Sequence, residues 1–270
     1  MNIWRLLITP PARGAWNMAV DESILHHIGR GDSLPTLRLY AWIPACLSLG
    51  YAQPFADVDT QRLKARGWEV VRRATGGRAI LHTDELTYSV IAPNGEPRVA
   101  GTVLESYNRL AQALMLAVRY LNVPVEMKEE NANGDSNNNP VCFEVPSSYE
   151  ITVNGKKLIG SAQARKKEGI LQHGSLPLTG DLTRICQALV FESEALREAS
   201  SKRLLSRATT VDSALGREVS WEEASQAYIR AFEAQLDIEF EVAELSPSES
   251  KTAEMLVEEK YNHPSWTERV

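Results

Sequence analysis

Cysteine is scarce in this chain of 270 residues: Cys46, Cys142 and Cys186 lie far apart and form no C-x-x-C pair. So small and odd a set disfavours a disulfide framework and a zinc cage, and it predicts a reducing compartment. Long apolar runs are missing as well. Nothing approaches the roughly 18 consecutive apolar residues of a membrane span. The N-terminal MNIWRLLITPPARGAW breaks its short apolar stretch at Pro10 and Pro11 and lacks a secretion pattern, so a cytoplasmic location and no membrane partner are predicted. Strong positive charge is also absent. The net charge is −6, and residues 218–270 hold 13 acidic against 4 basic side chains, which leaves residues 1–217 at +3. That balance argues against non-specific nucleic-acid binding and leaves room for an acidic protein at a local basic patch.

What is present is the composition of a globular protein, 43% hydrophobic and 24% charged. A chain of this length buries a large core without disulfides or structural metal. Residues 16–28 read as a helix with Met18, Leu25 and Ile28 inward. Strand-like segments follow at 36–42, 46–51, 69–73 and 86–92. Thr102 and Glu105 fit a capping box opening a long helix, whose stripe Val103, Tyr107, Leu110, Leu114, Val118 and Leu121 faces inward down to Pro124. Residues 129–140, EENANGDSNNNP, have almost no apolar side chain to bury and are predicted to be a mobile loop. Asn154–Gly155 reads as a hairpin turn between strands at 149–153 and 157–163, with another strand at 169–176. From Asp181 onward the pattern is helical, with a second capping box at Ser220 and Glu223 and a last helix over 248–261. Hairpins interspersed with separate helices predict an α+β fold, a mixed and largely antiparallel sheet with helices packed on it.

Three segments could carry chemistry. In RRATGGRAILH (72–82), Gly76–Gly77 permits positive φ and close backbone approach, with Arg72, Arg73 and Arg78 around it. It is neither G-x-G-x-x-G nor a Walker loop, and it also fits a hairpin turn with solvated arginines. In PVCFEVPSSYE (140–150), Cys142 follows the polar loop, a setting suited to a reachable thiolate beside a cation. A cysteine is otherwise a small buried hydrophobe, and that reading fits Cys46 and Cys186. In NGKKLIGSAQARKK (154–167), Lys157 enters a strand leading to Gly160, Ser161 and Ala162, where its ammonium can face a cleft. Lys156 fits a lysine at a hairpin end better, and Arg165–Lys167 read as a solvated rim. His82 and His173 are the remaining polar candidates. No metal site is predicted.

Together RRATGGRAILH and GKKLIGSAQ resemble the biotin/lipoate protein ligase-like family, and VCFEVPSSYE resembles the cysteine segment of its octanoyltransferase branch. The resemblance runs from WNMAVDESIL through LQHGS into the helical tail. It implies a catalytic domain over 1–217 with an acidic helical C-terminal extension over 218–270 packed on it. It implies Cys142 as the acyl-accepting nucleophile and Lys157 as the active-site lysine. Arg72, Arg73, Gly76, Gly77, Arg78 and His82, with Gly160, Ser161 and Ala162, would then surround the acyl group.

The resemblance further implies acyl carrier protein as octanoyl donor, through its phosphopantetheine arm. The acceptor would be the glycine cleavage H protein or another lipoyl domain. Lipoate ligases carry a third glycine where Arg78 stands, a departure that weakens the case for ATP use, so no bound cofactor is predicted. Backbone N–H groups at Gly160–Ala162 or at Gly76–Gly77 are the candidate oxyanion donors. Two enzyme readings stay beside octanoyl transfer: an ATP-dependent lipoate ligase and an amidotransferase between lipoyl domains. A non-enzymatic acyl-binding protein on the same scaffold would be indifferent to Cys142.

Overall fold

Alternating apolar residues, Leu37 and Leu39 in one strand and Leu86, Tyr88 and Val90 in another, set the centre of the molecule. The computed structural model describes residues 2–129 and 149–270. One sheet contains β1 (Ile3–Ile8), β2 (Thr36–Tyr40), β6 (Glu85–Ala92), β7 (Glu126–Glu129), β8 (Tyr149–Val153), β9 (Lys156–Arg165), β10 (Ile170–Pro177) and β11 (Glu239–Val242). Their order across the sheet is β11-β1-β2-β6-β10-β9-β8-β7. β1 pairs in parallel with both β2 and β11, and the remaining pairings are antiparallel. A second sheet, ordered β4-β3-β5, is built from β3 (Cys46–Leu49), β4 (Glu69–Arg72) and β5 (Ile80–His82). The α+β class read from the sequence is therefore the fold.

Helices cover the large sheet on both faces. On one lie α3 (Val103–Tyr120) and α6 (Trp221–Leu236), packing Leu110, Leu114, Val118, Tyr228 and Phe232 onto Leu37, Leu39, Tyr88 and Val90. On the other, α1 (Gly14–Arg30) sets Met18, Leu25 and Ile28 against Leu7, Tyr40, Ile91 and Leu171. The shorter helices are α2 (Thr60–Ala65), α4 (Glu194–Arg207), α5 (Val211–Leu215), α7 (Pro247–Leu256) and α8 (Pro264–Thr267). Among the described residues, no helix is long and apolar enough to cross a membrane.

Local signals placed most elements. Thr102 and Glu105 form the reciprocal capping box of α3, and Asn154–Gly155 turns the β8–β9 hairpin at φ 51° and 74°. Several expectations are corrected. Val103 is 53% exposed, because the first residue of α3 projects beyond the sheet before the stripe reaches the core. Ser220 caps α6, but the Glu223 carboxylate pairs with Arg217 at 2.7 Å instead of closing the box. The C-terminal stretch is not helical throughout. Glu239–Val242 is an edge strand beside β1, and the last helix widens into a π-helical turn at Val257–Tyr261. β11 was hidden because Glu239 and Glu241 alternate with only two apolar residues, Phe240 and Val242.

Candidate active site

The cavity that matters lies between the two sheets. Alternation along β6, β9 and β10 turns Thr87, Gly160, Ala162, His173 and Ser175 toward α1 and the small sheet, which supplies Ser48, Ile80 and His82. Met18, Tyr40, Trp42, Arg73 and Gly77 complete a space of about 430 Å³, open mouth included. Gly160 and Ala162 keep its sheet wall shallow, because larger side chains at these inward positions would occupy the space.

Of the residues singled out in the sequence, Arg73, Gly77, His82, Gly160, Ser161 and Ala162 line this one cavity. Arg73 is buried and staples the glycine loop: it donates to Ser48 O at 2.9 Å and to Gly76 O and Arg78 O at 2.8 Å each. Gly77 has φ 93°, and a Cβ there would stand 2.9 Å from the Arg73 guanidinium, so its freedom is used. Gly76 is exposed at the lip. Arg78 is half-buried and lines an adjoining groove of about 1150 Å³ with Gly76, Gly77, Arg165 and Lys166. Gly77 belongs to both spaces.

Arg72 goes elsewhere. It is fully buried, and its guanidinium donates to Gly50 O at 2.9 Å, Gln53 O at 2.6 Å and Thr267 O at 2.8 Å, while Trp266 Nε1 donates back to Arg72 O. The pleat explains the split: adjacent residues at the end of a strand face opposite ways, so only one arginine of the pair reaches the cavity. Lys157 lies on β9 shortly before Gly160, beside a bulge opposite Ile151 and Thr152, and is buried at 5% exposure. Cys142 and most of the loop 129–140 lie outside the described residues. Cys46 and Cys186 are buried, and burial pushes the Cys46 thiol well up, away from nucleophilic use. Lys156 donates to Leu205 O at the hairpin end. Arg165 is more than a solvated rim residue, since it ties β9 to the carbonyls of Val99, Gly101 and Thr102.

Two polar clusters support the cavity wall. His82 bridges Glu85 Oε1 at 2.6 Å and Ser48 Oγ at 2.8 Å, and it stacks on Trp42 with ring centroids 3.9 Å apart. On the other side His173 Nε2 meets Thr75 Oγ1 at 2.6 Å, and its Nδ1 lies 3.6 Å from Asp21. Burial lowers the His173 pKa against the opposing pull of Asp21, which favours a neutral ring. Burial alone would raise Asp21, but Arg38 at 2.7 Å and His173 more than offset it and hold the carboxyl below its usual value. Sequence reasoning singled out His173 but missed Met18, Tyr40, Trp42, Ser48, Thr87 and Ser175. The alternation in LQHGS could have exposed Ser175; nothing local marks Ser48 or Trp42. Among the described residues no group of three His, Cys, Asp or Glu side chains is placed to hold a metal ion.

The fold that holds this cavity is that of the lipoate ligase class. The fold superposes on the bi-partite lipoate protein ligase of Thermoplasma acidophilum with a TM-score of 0.81, at 25% identity over 99% of this chain and 97% of the other. A lipoate-protein ligase A bound with ATP gives 0.80, at 25% identity over 99% of both chains. The profile of the lipoyl protein ligase A/B catalytic domain matches residues 13–233. The chain belongs to that family, and it is an enzyme of it. Relatives named Octanoyltransferase LipM come from Exiguobacterium sibiricum, 39% identical over 97% of both chains, and Moorella thermoacetica, 40% identical over 98% of both. A third, from Brevibacillus brevis, is 38% identical over the full length of both.

Proposed function

We propose that this enzyme transfers an octanoyl group from octanoyl-acyl carrier protein to the target lysine of a lipoyl domain, with the glycine cleavage H protein as a principal acceptor. The observation that carries the reading is full-length similarity to proteins named Octanoyltransferase LipM. A cavity between the two sheets, lined by Gly77, Gly160, Ser161 and Ala162 of the two glycine-bearing segments, supports it.

The route is two acyl transfers. The Cys142 thiolate attacks the thioester carbonyl of the donor's phosphopantetheine arm, a new C–S bond forms, and the pantetheine thiolate leaves and is protonated. The neutral amine of the acceptor lysine then attacks the acyl-enzyme, Cys142 leaves as thiolate, and the amide nitrogen gives up its extra proton. Lys157 is the general acid and base for these exchanges. The cavity shelters the chain from water, which favours aminolysis over hydrolysis. A thioester is already activated, so the route needs no nucleotide. Arg78 and Lys166 in the adjoining groove give an acidic carrier or acceptor a basic approach.

Intact-protein mass spectrometry after mixing with octanoyl-acyl carrier protein, without ATP, tests the route. The parent should gain one octanoyl group, Cys142→Ala none, and adding the H protein should discharge the adduct. Absence of an adduct, with activity only when ATP and free octanoate are supplied, would overturn it in favour of a ligase.

We also propose that residues 218–270 form an acidic extension that completes the domain over 1–217. The large sheet supports this reading, because β11 of the extension pairs with β1.

A further inference from the structure

The cavity wall contains many polar side chains, and almost all have protein partners. Tyr40 donates to Asp21 at 3.1 Å, Trp42 to Thr87 at 2.8 Å, and Ser161 shares a bond with Tyr88 at 2.7 Å. Ser48, Arg73, Thr87, His82 and His173 are bonded as described above. Ser175 differs. Its Oγ is buried without a hydrogen-bond partner among the described residues, and the whole residue is 1% exposed. On β10 it stands opposite Thr87 of β6 and Gly160 of β9, and all three line the cavity. Gly160 has no side chain to reach across. The hydroxyl therefore faces the space the acyl group enters.

We infer that Ser175 is a further catalytic residue, donating its hydroxyl hydrogen bond to the carbonyl oxygen of the acyl group. The inference rests on the acyl-transfer reading and deepens it. A buried hydroxyl left unpaired is unfavourable, and a saturated acyl chain offers it nothing. The one strong acceptor on an octanoyl thioester is its carbonyl oxygen. Once the chain fills the cavity, that oxygen supplies the partner that Ser175 lacks among the described residues. Gly160 follows Lys157 closely on β9, so a carbonyl bonded to Ser175 is held toward the lysine's end of the strand. As sulfur attacks, the carbonyl π pair moves onto oxygen and the bond from Ser175 strengthens, with its proton staying on Oγ. The contact is then worth more in the transition state than in the ground state, the condition for raising kcat.

The test is Ser175→Ala beside Ser175→Thr, which restores a hydroxyl. With octanoyl-acyl carrier protein and H protein, Ser175→Ala should lower kcat about 100-fold with little change in KM, and Ser175→Thr should recover much of the loss. The unliganded Ser175→Ala protein should melt at or above the parent temperature, since it loses no hydrogen bond. A kcat near the parent value would overturn the assignment. So would a fall in Tm that accounts for the lost activity. If the parent itself fails to transfer octanoyl, the transfer reading falls, and thermal shift with octanamide judges Ser175 separately. A smaller shift in Ser175→Ala supports the carbonyl contact, and an equal shift overturns it.

Discussion

Glu22 shows how one buried carboxylate fastens a distant part of the chain. It accepts from Lys260 at 2.6 and 2.8 Å, from Lys166 at 3.2 Å, and from the Tyr261 hydroxyl. Burial alone would raise its pKa, but the Lys260 bond and charge, then Tyr261 and Lys166, pull it from 4.5 down to about 2. Lys260 is itself pushed down by burial, so the net gain is smaller than Glu22 alone suggests. The folded carboxyl lies below its unfolded value, so its contribution is complete above about pH 4.5 and lost as pH falls toward 2. Urea unfolding of Glu22→Gln at pH 7 should show a loss of about 2–3 kcal/mol, and the gap to the parent should close on acidification through that window. At this scale the sequence was legible where a motif is local. Arg73, Gly77, His82 and Gly160–Ala162, which stand out in two short segments, line one cavity. Arg72 was not legible, since its partners include Thr267, 195 residues away.

Between elements, the glycine loop depends on a contact that neither segment announces. Gly50, just after β3, faces Gly77 so closely that a Cβ would stand 1.8 Å from the Gly77 carbonyl oxygen. Backbone lies on both sides, so no side chain can rotate away. Tyr51 N–H also donates to Thr75 O at 2.9 Å, and Arg72 binds the Gly50, Tyr51 and Gln53 carbonyls from behind. The cavity roof is thus held by the 50–53 turn, which is held in turn by α8. Gly50→Ala should displace the roof, costing about 1–3 kcal/mol in denaturation and at least tenfold in kcat/KM for octanoyl transfer. Parent-like values in both measurements would show that the roof is not fixed by this contact.

Across the whole molecule, the acidic C-terminal residues are built into the body. β11 extends the large sheet, and Tyr228 and Phe232 of α6 are among its fully buried side chains. Arg5 meets the buried Glu249 of α7 through two bonds, at 2.7 and 2.8 Å. A fragment of residues 1–217 should lack a cooperative thermal transition and near-UV circular dichroism, because removing α6 strips the partner of α3 on one face of the sheet and removing α7 strips the outer side of α1 on the other. A native-like melt from that fragment would show that the body folds alone. The sequence determined what depends on short range: strand alternation, the caps of α3 and α6, the Asn154–Gly155 turn, and the glycine content of the two segments found at the cavity. Tertiary structure decided which arginine of the pair faces the cavity, that an acidic four-residue segment pairs with β1, and that one serine hydroxyl in the wall has no partner among the described residues. Those outcomes depend on contacts between residues far apart in the chain, where burial and hydrogen-bond satisfaction outweigh local preference.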